Sequence, residues 1–132
     1  LPRGQVADLI PEMVQRVLTR EARERISDSD LIERAIELMA IHLPEFSERP
    51  ASVTWRAMNE RWGSCTTVDR TIRISERLNG APSYVIDYVL LHELIHLRIP
   101  DHSKGFADLL ERFSEGETAS AFLEGYESGA RA

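Results

Sequence analysis

The sequence predicts an α+β fold in which a small antiparallel sheet is flanked by helices, and three observations lead there. Apolar residues recur every three to four positions before residue 44, alternate every second position between 51 and 75, and fill nearly every position over 82–98. A chain of 132 residues is expected to form one domain, here with a helical N-terminal part over 1–49 and a core over 50–132 that carries the chemistry.

The first helix is expected over residues 5–25, with Val6, Leu9, Ile10, Met13, Val14, Val17 and Leu18 on one stripe and Arg16, Arg20, Glu21 and Arg23 toward solvent. Ser27-Asp28-Ser29-Asp30 reads as a break and a new N-cap. A second helix follows, its stripe carried by Leu31, Ile32, Ala35, Ile36 and Met39, and Pro44 stops it near Leu43. His42 then serves as a surface or capping residue at the helix C-terminus, where a cation or dipole is welcome. From Ala51, Val53, Trp55 and Ala57 alternate with polar neighbours, and Thr71-Ile72-Arg73-Ile74-Ser75 alternates again. This predicts a hairpin across 52–75. Asn79-Gly80 and Ala81-Pro82 turn the chain into the apolar helix at about 82–98, which should be buried on most sides. Two more helices are expected over 103–113 and 117–127, the last weakened by Gly125.

Composition excludes several classes. Sixteen basic against 22 acidic residues leave a net charge of −6, with no Lys/Arg cluster. That argues against direct nucleic-acid binding and against an anionic-membrane footprint. No run approaches the ~20 apolar residues of a spanning helix, and the opening Leu1-Pro2-Arg3-Gly4 lacks a signal-peptide core. The lone cysteine, Cys65, excludes an internal disulfide and points to a reducing cytoplasm. Because the first residue is not methionine, the N-terminus is expected to be trimmed or to belong to a larger chain.

The buried helix contains His92-Glu93-Leu94-Ile95-His96. Residues four apart on a helix share a face, so both imidazoles can reach one ion, and zinc is the usual guest of such a pair. Glu93 lies about 100° round the helix from His92, suitably placed for a general base beside the ion. In a shuffled chain of this composition the five-residue pattern arises by chance roughly 0.013 times. Three further features strengthen it. Pro100 forces the helix to stop, so the chain can fold back and bring His102 to the open side of the pair. Polar groups on an otherwise apolar helix cost roughly 1–3 kcal/mol each without partners, which a metal would supply. Three of the four histidines fall within eleven residues. Three protein ligands and an open fourth position describe a catalytic zinc site rather than a closed structural one.

With those residues in hand, the stretch 61–106 resembles the YgjP-like family of zinc-dependent hydrolases, relatives of the SprT-like and other zincin-fold metallopeptidases. The resemblance is carried by Arg61-Trp62-Gly63-Ser64-Cys65, by Ala81-Pro82 with Val85-Ile86-Asp87-Tyr88-Val89, by His92 to Leu97, and by Asp101-His102-Ser103 with Phe106. It covers about a third of the chain. It implies a zincin-like fold, with a small sheet packed on the helix that bears the first two ligands. It also implies one zinc ion on His92, His96 and His102, Glu93 as catalytic base, and a peptide or protein substrate. Where that family usually has an aromatic after the Phe106 position, this chain has Ala107. Metzincin peptidases share the histidine spacing, but their motif has a glycine where Ile99 stands, and Ile99 cannot readily take the positive φ of that turn.

The remaining candidates keep two readings each. The segment 59–65 forms either the rim of a metal cleft, with an edge strand able to pair with an extended peptide, or a hairpin bulge around Gly63 with Trp62 as core. Ser64 belongs to this segment. Cys65 is a nucleophile or a ligand or, the favoured reading, a small buried residue. Arg61 binds a substrate carboxylate or, the favoured reading, pairs with Asp87. Asp101 orients an imidazole or begins a turn. For the electrophile facing a developing oxyanion, Tyr84, Tyr88, Tyr126 and Arg73 are candidates, Tyr88 being nearest by helix geometry, although a core tyrosine is its favoured reading. The alternative to hydrolysis is a non-catalytic, metal-containing adaptor that grips a peptide. In it Glu111, Glu115 or Glu124 would close the fourth position.

Overall fold

The computed structural model describes residues 27–131, with side chains through 127. The helix expected over 5–25 lies outside the described residues.

Helix α1 spans Asp28–His42. Ser27 starts it with a reciprocal capping box: its Oγ accepts from the Asp30 amide at 3.2 Å, and the Asp30 carboxylate accepts from the Ser27 amide at 3.4 Å. Leu31, Ala35, Leu38 and Met39 are buried, whereas Ile36 is 41% exposed. The buried stripe therefore runs through Leu38 rather than Ile36. The helix ends at the residue pair before Pro44, as the proline requires. The Asp28 carboxylate accepts from the Trp55 amide at 2.9 Å and so pins the start of α1 to the sheet.

The sheet has three strands, β1 (Ser52–Arg56), β2 (Gly63–Thr66) and β3 (Thr71–Ser75), in the order β1-β3-β2. It is mixed, which corrects the expected hairpin. β1 lies parallel to β3, with Val53 opposite Ile72 and Trp55 opposite Ile74. The antiparallel partner of β3 is β2, with Cys65 opposite Ile72 and Gly63 opposite Ile74. The reason is strand β2, which one reading of 59–65 offers as an edge strand but whose Gly-Ser-Cys-Thr sequence has no apolar alternation to mark it as the hairpin partner of β3. A tight turn through Val68, Asp69 and Arg70 (φ 57°) joins β2 to β3, and the Asp69 carboxylate accepts from the Thr71 amide at 3.2 Å. With that edge of β3 taken, β1 can pair only with the other.

A short 3₁₀ turn (Glu76–Leu78) and Gly80 (φ 105°) lead into α2, Ser83–Ile95. As the apolar run predicts, Val85, Ile86, Val89, Leu90, Leu91, Leu94 and Ile95 are all buried. α2 touches α1, β2, β3, and the two following helices, α3 (Lys104–Leu110) and α4 (Gly116–Arg131). It is the spine against which the sheet and the other helices pack. Gly125 does not break α4; nothing lies within 4 Å of where its side chain would be. No helix among the described residues is long and apolar enough to cross a membrane.

Candidate metal centre

α2 gives out at Ile95, and the chain turns through Arg98, with the Arg98 and Ile99 amides both bonded to the Ile95 carbonyl. Pro100 follows, and Ser103 caps α3 by accepting from the Phe106 amide at 3.4 Å. Ile99 is not among the residues with positive φ, so proline rather than a glycine-like turn makes the reversal. The reversal brings His102 back against α2. The ring centroids stand 5.1 Å apart for His92–His96, 5.1 Å for His92–His102 and 5.0 Å for His96–His102.

Each histidine offers one ring nitrogen to a cluster whose members all lie within 4.8 Å of one another. Nε2 of His92 and Nε2 of His102 are 3.3 Å apart. A tetrahedral ion with metal–nitrogen bonds of 2.0–2.1 Å separates its ligand atoms by about 3.3 Å, so the three imidazoles fit zinc in type and the His92–His102 pair fits it in spacing. Nδ1 of His96 lies 3.0 Å from the Ile99 carbonyl. The carbonyl makes Nδ1–H the donor and leaves Nε2 its lone pair. Phe106, 3% exposed, floors the site with its ring 4.7–4.9 Å from all three imidazoles. Burial, reinforced by the neighbouring His96 and His102, pushes the His92 imidazole down to about 4. It is therefore neutral at physiological pH, as a ligand must be. No carboxylate belongs to the cluster among the described residues, Glu111, Glu115 and Glu124 included.

Glu93 is buried, at 7% exposure, and its carboxyl packs on the backbone of Gly63. Burial pushes that carboxyl up to about 7, while the positive charge of Arg61 opposes the rise. Facing the histidines, Arg61, Gly63, Ser64, Cys65 and Thr67 form the other wall of a cleft of about 520 Å³, with Pro100 at its end. Of the segment 59–65, Arg61, Gly63, Ser64 and Cys65 line the cleft, and the strand β2 is an outer strand of the sheet among the described residues. Trp62 is half-buried against the core, with the Arg77 guanidinium 3.9 Å above its ring. Cys65 is half-buried, and burial pushes its thiol up to about 11, which leaves it protonated and poorly nucleophilic.

Other expectations are corrected. Asp87 pairs with Arg34 of α1, not with Arg61, because it faces α1 across the helix interface. Arg61 instead lines the cleft. Asp101 is exposed at a bend, and the imidazole acceptor in this turn is the Ile99 carbonyl. Tyr88 lines a separate cavity with Ala107 and Gly116, its ring 6.3 Å from that of Phe113. Tyr126 rests edge-on against Trp62 at 5.2 Å, and Arg73 donates to Thr66 Oγ1 at 3.0 Å. None of Tyr84, Tyr88, Tyr126 and Arg73 lines the histidine cleft. His42 ends α1 as expected, its ring 5.7 Å from Phe113.

The model of the family described as YgjP-like, metallopeptidase domain, matches residues 4–120. The chain belongs to that family. Two solved structures share the zincin-like fold of this YgjP-like domain. The zymogen of the metallopeptidase jannalysin from Methanocaldococcus jannaschii matches with a TM-score of 0.61 and 18% identity, over 74% of this chain and 96% of that one. The zymogen of abylysin from Pyrococcus abyssi matches with a TM-score of 0.59 and 23% identity, over 78% and 94% respectively. No curated protein matches the chain. Membership of a YgjP-like metallopeptidase family makes the chain a metallopeptidase and implies a divalent metal, typically zinc.

Proposed function

We propose that this YgjP-like chain is a zinc peptidase of the His-Glu-x-x-His type that hydrolyses peptide bonds in the cleft between α2 and β2. His92, His96 and His102 would hold one zinc ion. When bound, zinc lowers the pKa of a coordinated water toward ~7 and polarises the scissile carbonyl. Glu93 takes the proton of the attacking water on its carboxylate and passes it to the leaving amine. Its burial against Gly63 suits this role, since a carboxyl raised to about 7 both accepts and releases a proton near neutral pH. Among the described residues the outer strand β2 has an unpaired edge, along which an extended substrate can add as a further strand. With a net charge of −6 and no basic patch, we take the partner to be a peptide or protein rather than nucleic acid or membrane, acting in the cytoplasm.

The observation that carries this reading is the 3.3 Å approach of two histidine Nε2 atoms beside a buried glutamate. The test is Glu93→Gln in zinc-loaded protein, which should keep its zinc and lose hydrolysis. Cleavage at the parent's rate would remove Glu93 from the reaction.

A further inference from the structure

Arg61 is the one cationic side chain lining the histidine cleft among the described residues. Its backbone is held firmly. The Arg61 carbonyl accepts from the Arg77 guanidinium at 2.7 Å, Arg77 stacks on Trp62, and the Trp62 carbonyl accepts from the Ser75 amide at 2.9 Å. The Arg61 guanidinium itself has neither an ion pair nor a hydrogen bond among the described residues, and the residue is exposed. The other arginines near the fold's joints are differently engaged: Arg34 with Asp87, Arg98 with Glu48, Arg112 with Glu45.

We propose that Arg61 anchors a carboxylate of the substrate, so that the cleft selects peptides with a negative charge on one side of the bond to be cut. This rests on the peptidase reading above and adds to it a substrate class. A chain of net charge −6 repels anions in general, and the exposed guanidinium at the cleft mouth, whose charge also reaches Glu93, reverses that locally. Guanidinium and carboxylate match in a bidentate fork. Arg61 sits just before Gly63, the first residue of β2. A peptide added antiparallel to the outer edge of β2 runs its C-terminal end toward Arg61, which places a free α-carboxylate or an acidic side chain within its reach. Exposure at the rim argues against the other use of an arginine here, since oxyanion stabilisation draws its strength from a water-excluded position.

The test follows the Arg61 Nε–Hε resonance by NMR in zinc-loaded protein during titration with three probes: acetyl-trialanine as the free acid, the same peptide as its C-terminal amide, and acetyl-Ala-Glu-Ala amide. The free acid should bind at least about tenfold more tightly than the trialanine amide and shift that resonance. Arg61→Ala should abolish the preference, and Arg61→Lys should keep part of it. Binding of the glutamyl amide as well as the acid assigns the site to acidic side chains, and binding of the acid alone assigns it to C-termini. Equal affinities for acid and trialanine amide overturn the proposal, as do absence of binding by every probe at millimolar concentration and an acid preference that survives in Arg61→Ala. These outcomes are independent of the Glu93→Gln cleavage assay, so failure of one reading is distinguishable from failure of the other.

Discussion

Gly63 makes room for Glu93. A Cβ on residue 63 would stand 3.1 Å from both Cγ and Oε2 of Glu93, and 3.1 Å from the Arg73 carbonyl across the β2–β3 ladder. One wall is backbone and the other is the carboxyl itself, so the added methyl pushes the glutamate by a few tenths of an ångström. Gly63→Ala is expected to cost about 1–3 kcal/mol in stability. It should also lower kcat at least tenfold on any peptide the parent cleaves, with zinc affinity changed only a few-fold. Steady-state kinetics beside a zinc titration separates the two effects. An unaltered kcat would mean that the contact does not position Glu93.

The two shifted groups of the cleft oppose one another in their effect on the fold. Glu93 is raised from 4.5 to about 7, so in protein stripped of metal its contribution is fully present below pH 4.5 and is lost as pH rises through 7. His92 is lowered from 6.5 to about 4, so its contribution is present above pH 6.5 and is lost as pH falls through 4. Glu93→Gln removes only the first. The stripped variant should therefore exceed the stripped parent in stability at pH 8, by up to about 3 kcal/mol at 1.36 kcal/mol per pKa unit, and the gap should shrink to under about 1 kcal/mol at pH 5. Urea unfolding of both proteins at the two pH values reads this directly. A gap independent of pH would contradict the buried carboxyl.

Cys65 lines the cleft but should be inert. With its thiol pushed from 9.0 up to about 11, alkylation by iodoacetamide at pH 7.5 is expected to run about a hundredfold slower than for an ordinary thiol. The rate should still climb tenfold per pH unit beyond pH 9. Mass-spectrometric labelling, with urea-unfolded protein as the fast control, measures it. Labelling at the unfolded rate would show that Cys65 is not shielded.

Much of this was legible in the sequence, for identifiable reasons. The α2 helix announced itself because residues buried on every side must all be apolar, which made its two histidines and glutamate conspicuous. Pro100 gave away the reversal that returns His102, because proline acts on the backbone locally and independently of context. β2 was legible only as an edge strand in one reading of 59–65, not as the hairpin partner of β3: four small or polar residues at a sheet edge carry no period-2 signal. Missing it reversed the β1–β3 pairing from parallel to antiparallel. The Ile99 carbonyl on His96 was equally invisible, since a backbone acceptor leaves no mark in residue identity. The partner of Asp87 was misread because Arg34 is 53 residues away, and long-range pairing depends on how α1 packs.

Convergence of the three imidazoles on one cation is read out by zinc titration of the stripped protein, followed by calorimetry for the parent and for His102→Ala. One zinc per chain is expected in the parent, and at least about a hundredfold weaker binding when His102 is removed. Binding of equal strength in both proteins, or no zinc bound by the parent, would contradict it.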